Sequence, residues 1–263
     1  MRLDQDRIQA ILKAEHSYYG WHDIPIRKDT RWHPGTGDFI ATQITPAMDV
    51  LDIGCGNGSF LLEHHTSLHA GIGIDYDPDN LHLAEEAKRS QGIRNVEFRL
   101  LDFPREVAQL QPESFDVVFS LRGPIGDSSP AIQAALHLLR PAGLLFSEEI
   151  GELHQHEVTE IFKDKPHLDP TIPVVKQIKA AMQRNGVDVR LEADLFTKWI
   201  YPDVYAWLEY QCNIWAWLKL ALPQPDDPRI GQFAERNTTD TGEIETTHHI
   251  VWVAGVKSNK IPI

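Results

Sequence analysis

The sequence predicts an α/β protein, a mostly parallel sheet covered by helices on both faces. Two observations carry that prediction. From Met48 to about Glu149, short apolar runs alternate with helix-like segments, the pattern in which crossover helices join parallel strands. The first run lies within "VLDIGCGNGSF", Val50 to Phe60, and breaks at once into alternate glycines at Gly54, Gly56 and Gly58. Such a turn brings backbone close to whatever binds at the sheet edge.

The elements follow in order. "MRLDQDRIQAILKAEH" alternates charge with aliphatic residues and reads as an amphipathic helix rather than a signal peptide. Residues 1–45 are expected to form an N-terminal helical cover, with the aromatic stretch Glu15 to Gly35 as a candidate lid that orders when ligands bind. "MDVLDI" is a buried strand and "AGIGIDY" a second. In "DPDNLHLAEEAKRSQG", Asp77 is placed to cap a helix, Pro78 to open it and Gly92 to close it. "NVEFRLLD" and "FDVVFSL" are the third and fourth strands. Ser128 or Ser129 opens the helix "AIQAALHLLR", expected to end at Pro141, and "GLLFSEEI" is the fifth strand.

Beyond residue 150 the chain predicts a helix in "TIPVVKQIKAAMQRNG", a strand in "VDVRLEADLFTKWI", a segment dense in Trp and Tyr, and a last strand in "EIETTHHIVWVAGVK". No linker separates these parts, so the reading is one domain over 1–263: cover 1–45, core 46–150, and a C-terminal part 151–263 with an aromatic-rich helical insertion. In that insertion Trp207, Ile214, Trp215 and Leu218 share a helical face and read as core. Tyr210 and Trp217 are left as candidates to wall an apolar pocket.

Composition narrows the classes of function. The 263 residues carry a formal charge of −13 and no dense basic run, which points away from a nucleic-acid partner. No apolar stretch reaches the ~18 residues a membrane span needs. Two cysteines, Cys55 and Cys212, make no disulfide framework or zinc spacing, and a cytoplasmic location is expected. Thirteen histidines include the adjacent pairs His64–His65 and His248–His249 but no HExxH pattern, so no metal is expected. A histidine base from His16, His22 or His33 is possible but unplaced.

The acids around the glycine loop sharpen the chemistry. A GxGxxG dinucleotide loop would need glycine where Ser59 stands. Asp52, just ahead of the loop, suits a ligand carrying positive charge in place of a pyrophosphate. Asp75 ends the second strand, where an acid usually holds ribose hydroxyls. Asp102 closes the third strand and is placed to accept from an amino group such as that of adenine.

Together "VLDIGCGNG", "GIGIDYDP", "LLDF" and "FDVVFSL" resemble the successive motifs of class I S-adenosylmethionine-dependent methyltransferases, over roughly residues 45 to 150. "LLRPAGLLFSEE" resembles the segment leading into their fifth strand, and "HHIVWVAGVK" is consistent with their last. The resemblance implies a Rossmann-like seven-stranded sheet whose last strand runs antiparallel. It also implies S-adenosyl-L-methionine as cofactor, with Asp52 and the backbone of Gly54, Gly56 and Asn57 facing its methionine part. Asp75 would bind the ribose, Tyr76 would lie against adenine, Asp102 would accept from the adenine amino group beside Phe103, and Ser120 would face the methionine part and the acceptor.

The methyl acceptor is less constrained. "SLRGPIGD" replaces the Asn/Asp-Pro-Pro-aromatic motif of many amino-methylating members. Arg122 suits a carboxylate or phosphate on the acceptor, and Tyr18, Tyr19 and Trp21 of the leader are candidate acceptor contacts. The reading is a methyltransferase acting at O, N or C of a small molecule. A ribosomal or transfer RNA methyltransferase and a non-catalytic cofactor-binding protein are its alternatives.

Overall fold

The computed structural model describes residues 3–16, 24–29, 36–166, 168–169 and 171–258. The leader residues Tyr18, Tyr19, Trp21, His22, Trp32 and His33 therefore lie outside the described residues, and with them most of the candidate lid.

The strands are β1 Arg27–Asp29, β2 Asp49–Ile53, β3 Ala70–Asp75, β4 Val96–Leu100, β5 Phe115–Leu121, β6 Leu139–Ile150, β7 Val187–Tyr201 and β8 Ile244–Lys257. The helices are α1 Gln5–Lys13, α2 Thr36–Gln43, α3 Ser59–Glu63, α4 Pro78–Gln91, α5 Ser129–Leu138, α6 His156–Ile161, α7 Val174–Arg184, α8 Val204–Trp217 and α9 Pro228–Asn237. The strand order is β1-β7-β8-β6-β5-β2-β3-β4. β2 to β6 run parallel to their neighbours, and β8 runs antiparallel to β6. The sheet thus has eight strands rather than seven; the extra one, β1, is a three-residue piece within the leader that pairs antiparallel with the end of β7.

The chain forms two compact units. The larger comprises Pro34–Gly151, Thr171–Leu195 and Ile250–Ile263. One face of its sheet buries Leu51, Ile53, Val118 and Leu145 with Ile132 and Ala135 of α5 and Ile178 and Met182 of α7. The other buries Val50, Phe119, Phe146 and Trp252 with Phe60 and Leu61 of α3. Burying side chains of this size stabilises the fold by about 1.5–3 kcal/mol each, so a sheet covered on both faces follows from strands apolar on both faces.

Local signals set the helix ends. Asp77 accepts from Asp79 N at 3.0 Å, Pro78 opens α4, and Gly92 closes it at φ 69°. Ser128 caps α5. That helix stops at Leu138, not at Pro141; the chain turns straight into β6, and Pro141 sits at an exposed position within the strand. A proline needs no ladder donor there.

The smaller unit comprises Met1–His33, Glu152–Pro170 and Phe196–His249. Its core gathers Ile8, Phe162, Trp207, Trp215 and Phe233, with the Trp207 and Phe233 rings stacked at 3.7 Å between centroids. Asp4 caps α1 and Asp203 caps α8, and Arg7 joins the two helices through Asp203 at 3.3 Å and the Tyr205 ring. Trp207 and Trp215 are core, as their shared helical face predicts, whereas Leu218 follows the end of α8 and is 46% exposed. Tyr210 is buried against Trp199 and Tyr201, while Trp217 is half exposed.

Candidate functional site

The larger unit brings the glycine loop and two acids together at the C-terminal ends of β2 and β3. Gly54, Gly56 and Gly58 all adopt positive φ, at 76°, 54° and 72°, a region glycine enters without steric cost. The loop's amides are turned inward: Gly54 N and Cys55 N both donate to Ile74 O, Gly58 N donates to Cys55 O, and Gly56 N donates to Asp75 Oδ2 at 2.8 Å. Backbone donors so engaged are poorly disposed to cradle a pyrophosphate. The helix that follows, α3, has only five residues, so little positive end-charge is added. The third glycine serves packing. A methyl at Gly58 would overlap the Phe98 ring, and one at Gly73 would come within 2.7 Å of it.

Negative charge dominates this edge. Asp75 is buried and accepts from Gly56 N and Asp77 N, the latter at 2.9 Å. Asp52 is 3% exposed, and burial together with the neighbouring Asp75 pushes its carboxyl up to about 8. A buried carboxyl in that condition takes a proton or a cation. The same acids and the burial of Cys55 push its thiol far up, so it is an inert thiol. Carboxylate oxygens accept more than one bond, so Asp75 retains capacity for ligand hydroxyls. This set of acceptors suits a ligand that brings positive charge and hydroxyl groups.

The remaining predicted residues are placed as follows. Asn57 lies in the loop, its side chain accepting from Ser59 N. Tyr76 is 71% exposed beside Asp75. Asp102 lies past the end of β4, half exposed, and pairs with Arg105 at 3.1 Å. Phe103 is buried in the core. Ser120 is fully buried, and register sets its direction: Asp52 pairs with Phe119, and Leu51 pairs with Val118. Because neighbouring strand residues face opposite ways, Ser120 shares the face of Leu51 and Val118, away from that of Asp52.

Arg122 adopts φ 59°, its N–H donates to Glu148 O at 2.9 Å, and its guanidinium lies 3.6 Å from Glu148 Oε1. It leads to an acid pair that sequence reasoning passed over as part of a strand. Glu148 is buried, and Glu149 has Oε1 buried without a hydrogen-bond partner among the described residues. Burial, Glu148 and Asp127 push the Glu149 carboxyl up to about 7 against the pull of Arg122. The available signal was two adjacent glutamates closing an apolar strand at the ligand edge of the sheet.

Among the described residues no cluster of three or more His, Cys, Asp or Glu is placed to hold a metal ion, and no helix is long and apolar enough to cross a membrane.

Comparison with known proteins gives a consistent picture. Residues 44–200 match the family described as methyltransferase domain. The chain is 33% identical over 128 residues to a tRNA U34 carboxymethyltransferase of Photobacterium profundum, covering 45% of this chain and 38% of that protein. It is 25% identical over 169 residues to a ribosomal protein L11 methyltransferase of Vibrio parahaemolyticus, covering 60% and 53%. The chain thus spans about half or less of the length of these curated relatives. Among solved structures, a putative methyltransferase from Bacillus halodurans aligns with a TM-score of 0.60 at 12% identity, over 86% of this chain and 100% of that one. A geranyl diphosphate methyltransferase solved with sinefungin aligns at 0.51 and 14% identity, over 84% and 77%. These structures share the fold.

Proposed function

This chain belongs to the methyltransferase domain family, and we propose that it transfers a methyl group from S-adenosyl-L-methionine to a small-molecule acceptor. The observation that carries the reading is the Asp52–Asp75 pair beside inward-turned glycine amides, a site suited to positive charge and hydroxyls rather than to phosphate. Asp52 and the backbone of Gly54, Gly56 and Asn57 hold the charged methionine end, and Asp75 holds the ribose. Tyr76 covers one side of the adenine, and Asp102 exchanges its Arg105 partner for the adenine amino group. Phe103 supports that pocket from the core. The strand end at Ser120 borders the methionine part, its hydroxyl facing away from Asp52.

When bound, this cofactor supplies an electrophilic methyl on a sulfonium. The protein's task is to align the acceptor and exclude water. Net charge supports a small acceptor, because at −13 the chain repels phosphate backbones. The likeness to a tRNA-modifying enzyme favours an RNA acceptor as the second reading. Calorimetry with S-adenosylmethionine and S-adenosylhomocysteine tests the cofactor. Labelled cofactor incubated separately with a metabolite extract and with total RNA tests the acceptor. Label in RNA would overturn the first reading, and binding without label in either would leave a cofactor-binding protein.

A further inference from the structure

An acceptor whose oxygen or nitrogen carries hydrogen gives up a proton when methylated, and the molecule offers a receiver for it. β5 and β6 end side by side, with Ser120 paired to Ser147 and Leu121 to Glu148. Alternation along β6 puts Glu149 on the same face as Ser147, and therefore as Ser120. Each of the three has a buried oxygen without a hydrogen-bond partner among the described residues: Ser120 Oγ, Ser147 Oγ and Glu149 Oε1. Both serines are fully buried. Buried polar atoms without partners are costly and rare; the serines are covered, and Glu149 is the one of the three that keeps exposed surface at the C-terminal edge of the parallel strands, where ligands of such sheets bind.

The loop Arg122–Asp127 follows the same atoms. A methyl at Gly123 would press on Ser120 and come within 2.7 Å of Ile53 O. One at Gly126 would come within 3.1 Å of Glu149 Oε1. Glycine at both positions lets the loop follow these polar groups closely. Arg122 is engaged with Glu148, by backbone and by guanidinium, which leaves Glu149 as the carboxyl of the pair with an open oxygen.

Resting on the methyltransferase reading, we propose that Glu149 is the catalytic base, and that the acceptor's nucleophilic atom is an oxygen or nitrogen that carries hydrogen. The acceptor atom forms its bond to the methyl carbon, the methyl–sulfur bond breaks with its electron pair left on sulfur, and the acceptor's proton passes to a Glu149 oxygen. No other reactant is required. Burial is the main cause that holds a proton on Glu149, the nearby charges of Glu148 and Asp127 add to it, and Arg122 opposes them. A base that titrates near neutral pH is well matched to proton transfer. Arg122 and Glu148 are positioning residues.

The test uses the full chain with labelled S-adenosylmethionine and a small-molecule metabolite extract. Glu149→Gln should slow labelled-product formation at least 100-fold while S-adenosylhomocysteine binds within twofold of wild type. Glu149→Asp should restore part of the rate. The wild-type rate should rise with pH and level off above about 7, and carbon-13 NMR of the free protein should show Glu149 titrating over the same range. Product formed by Glu149→Gln within threefold of wild type would overturn the base alone. Label on carbon or sulfur would overturn the acceptor class. No labelled product from wild type, with S-adenosylhomocysteine still bound, would remove the small-molecule reading and the base with it.

Discussion

Two strand pairs at the same C-terminal edge of the sheet end in paired carboxyls, and the structure treats them differently. At β2–β3, Asp75 is satisfied by two backbone amides and Asp52 is pushed up to about 8. At β5–β6, Glu148 has Arg122 beside it and Glu149 is pushed up to about 7. In each pair one acid is engaged and its neighbour is left needing a proton or a ligand. The first pair is rigidly held by strand ends and glycine amides, as a cofactor site requires. The second lies under a loop with left-handed residues at Arg122 and Gly126, the place proposed for the acceptor. On the proposed reading, burial of paired like charges serves two tasks, set by what holds the partner acid.

The comparison breaks hardest if the glycines beside the two acid pairs prove interchangeable. Gly58→Ala combines a left-handed φ with overlap on Phe98. It should destabilise the protein by about 2–5 kcal/mol, from left-handed strain and core overpacking together. Denaturant unfolding checks this, and Phe98→Leu in the same chain should recover part of the loss. A wild-type midpoint for Gly58→Ala would mean the loop does not depend on this packing.

The titration of Asp52 gives the next effect. Its folded value of about 8 lies above the usual 3.8, so between those limits the folded state binds more protons than the unfolded one. The stability this carboxyl contributes is complete below pH ~4 and is lost as pH rises through 8. Asp52→Asn removes that loss. Without ligand, the variant should be more stable than wild type by about 2–4 kcal/mol at pH 9 and equal to it at pH 4. Thermal melts across pH check the sign, and a variant equally stable at both ends would place Asp52 in water. Cofactor affinity should fall in the same variant, since the cation loses its partner.

Asp75→Ala probes the engaged member of the first pair. Affinity for S-adenosylhomocysteine should drop by about 1.5–3 kcal/mol, roughly 10- to 150-fold. The Asp52 titration should also move down, since Asp75 is one of the two causes of its rise. Calorimetry and a pH series of melts read these separately. Unchanged affinity would remove Asp75 from the cofactor site.

What was legible in the sequence was what neighbours in sequence decide. Asp77, Pro78 and Gly92 bound α4 through contacts within a turn, and the glycine loop with Asp52 and Asp75 falls at strand ends that hydrophobic runs already mark. The rest depended on pairing between distant segments. Ser120 faces away from Asp52 because of the β2–β5 register, which no local pattern states. Phe103, expected beside a ligand, is drawn into the core with Leu101 and Leu110. Gly58 answers to Phe98, some forty residues on. Glu149 looked like the polar end of an apolar strand until the loop from Arg122 to Asp127 was seen over it.

That loop supplies the smallest and most discriminating effect. Gly126 has φ 42°, and a methyl there would lie 3.1 Å from Glu149 Oε1. At that distance a side chain must shift by a few tenths of an ångström, and Glu149, partly exposed, has room to do so. Gly126→Ala should therefore cost only about 1–2 kcal/mol of stability, most of it the left-handed strain of a residue bearing Cβ. Its effect on Glu149 should be larger than on folding, because a carboxyl displaced toward solvent loses part of the burial that raises it, and its titration should shift downward. Cofactor binding at the other acid pair should be unaffected. Melting, the Glu149 carboxyl titration and S-adenosylhomocysteine affinity, measured on one variant, separate the two pairs. A fall in cofactor affinity with Glu149 unmoved would show that the pairs act as one site, and the division of labour between them would be wrong.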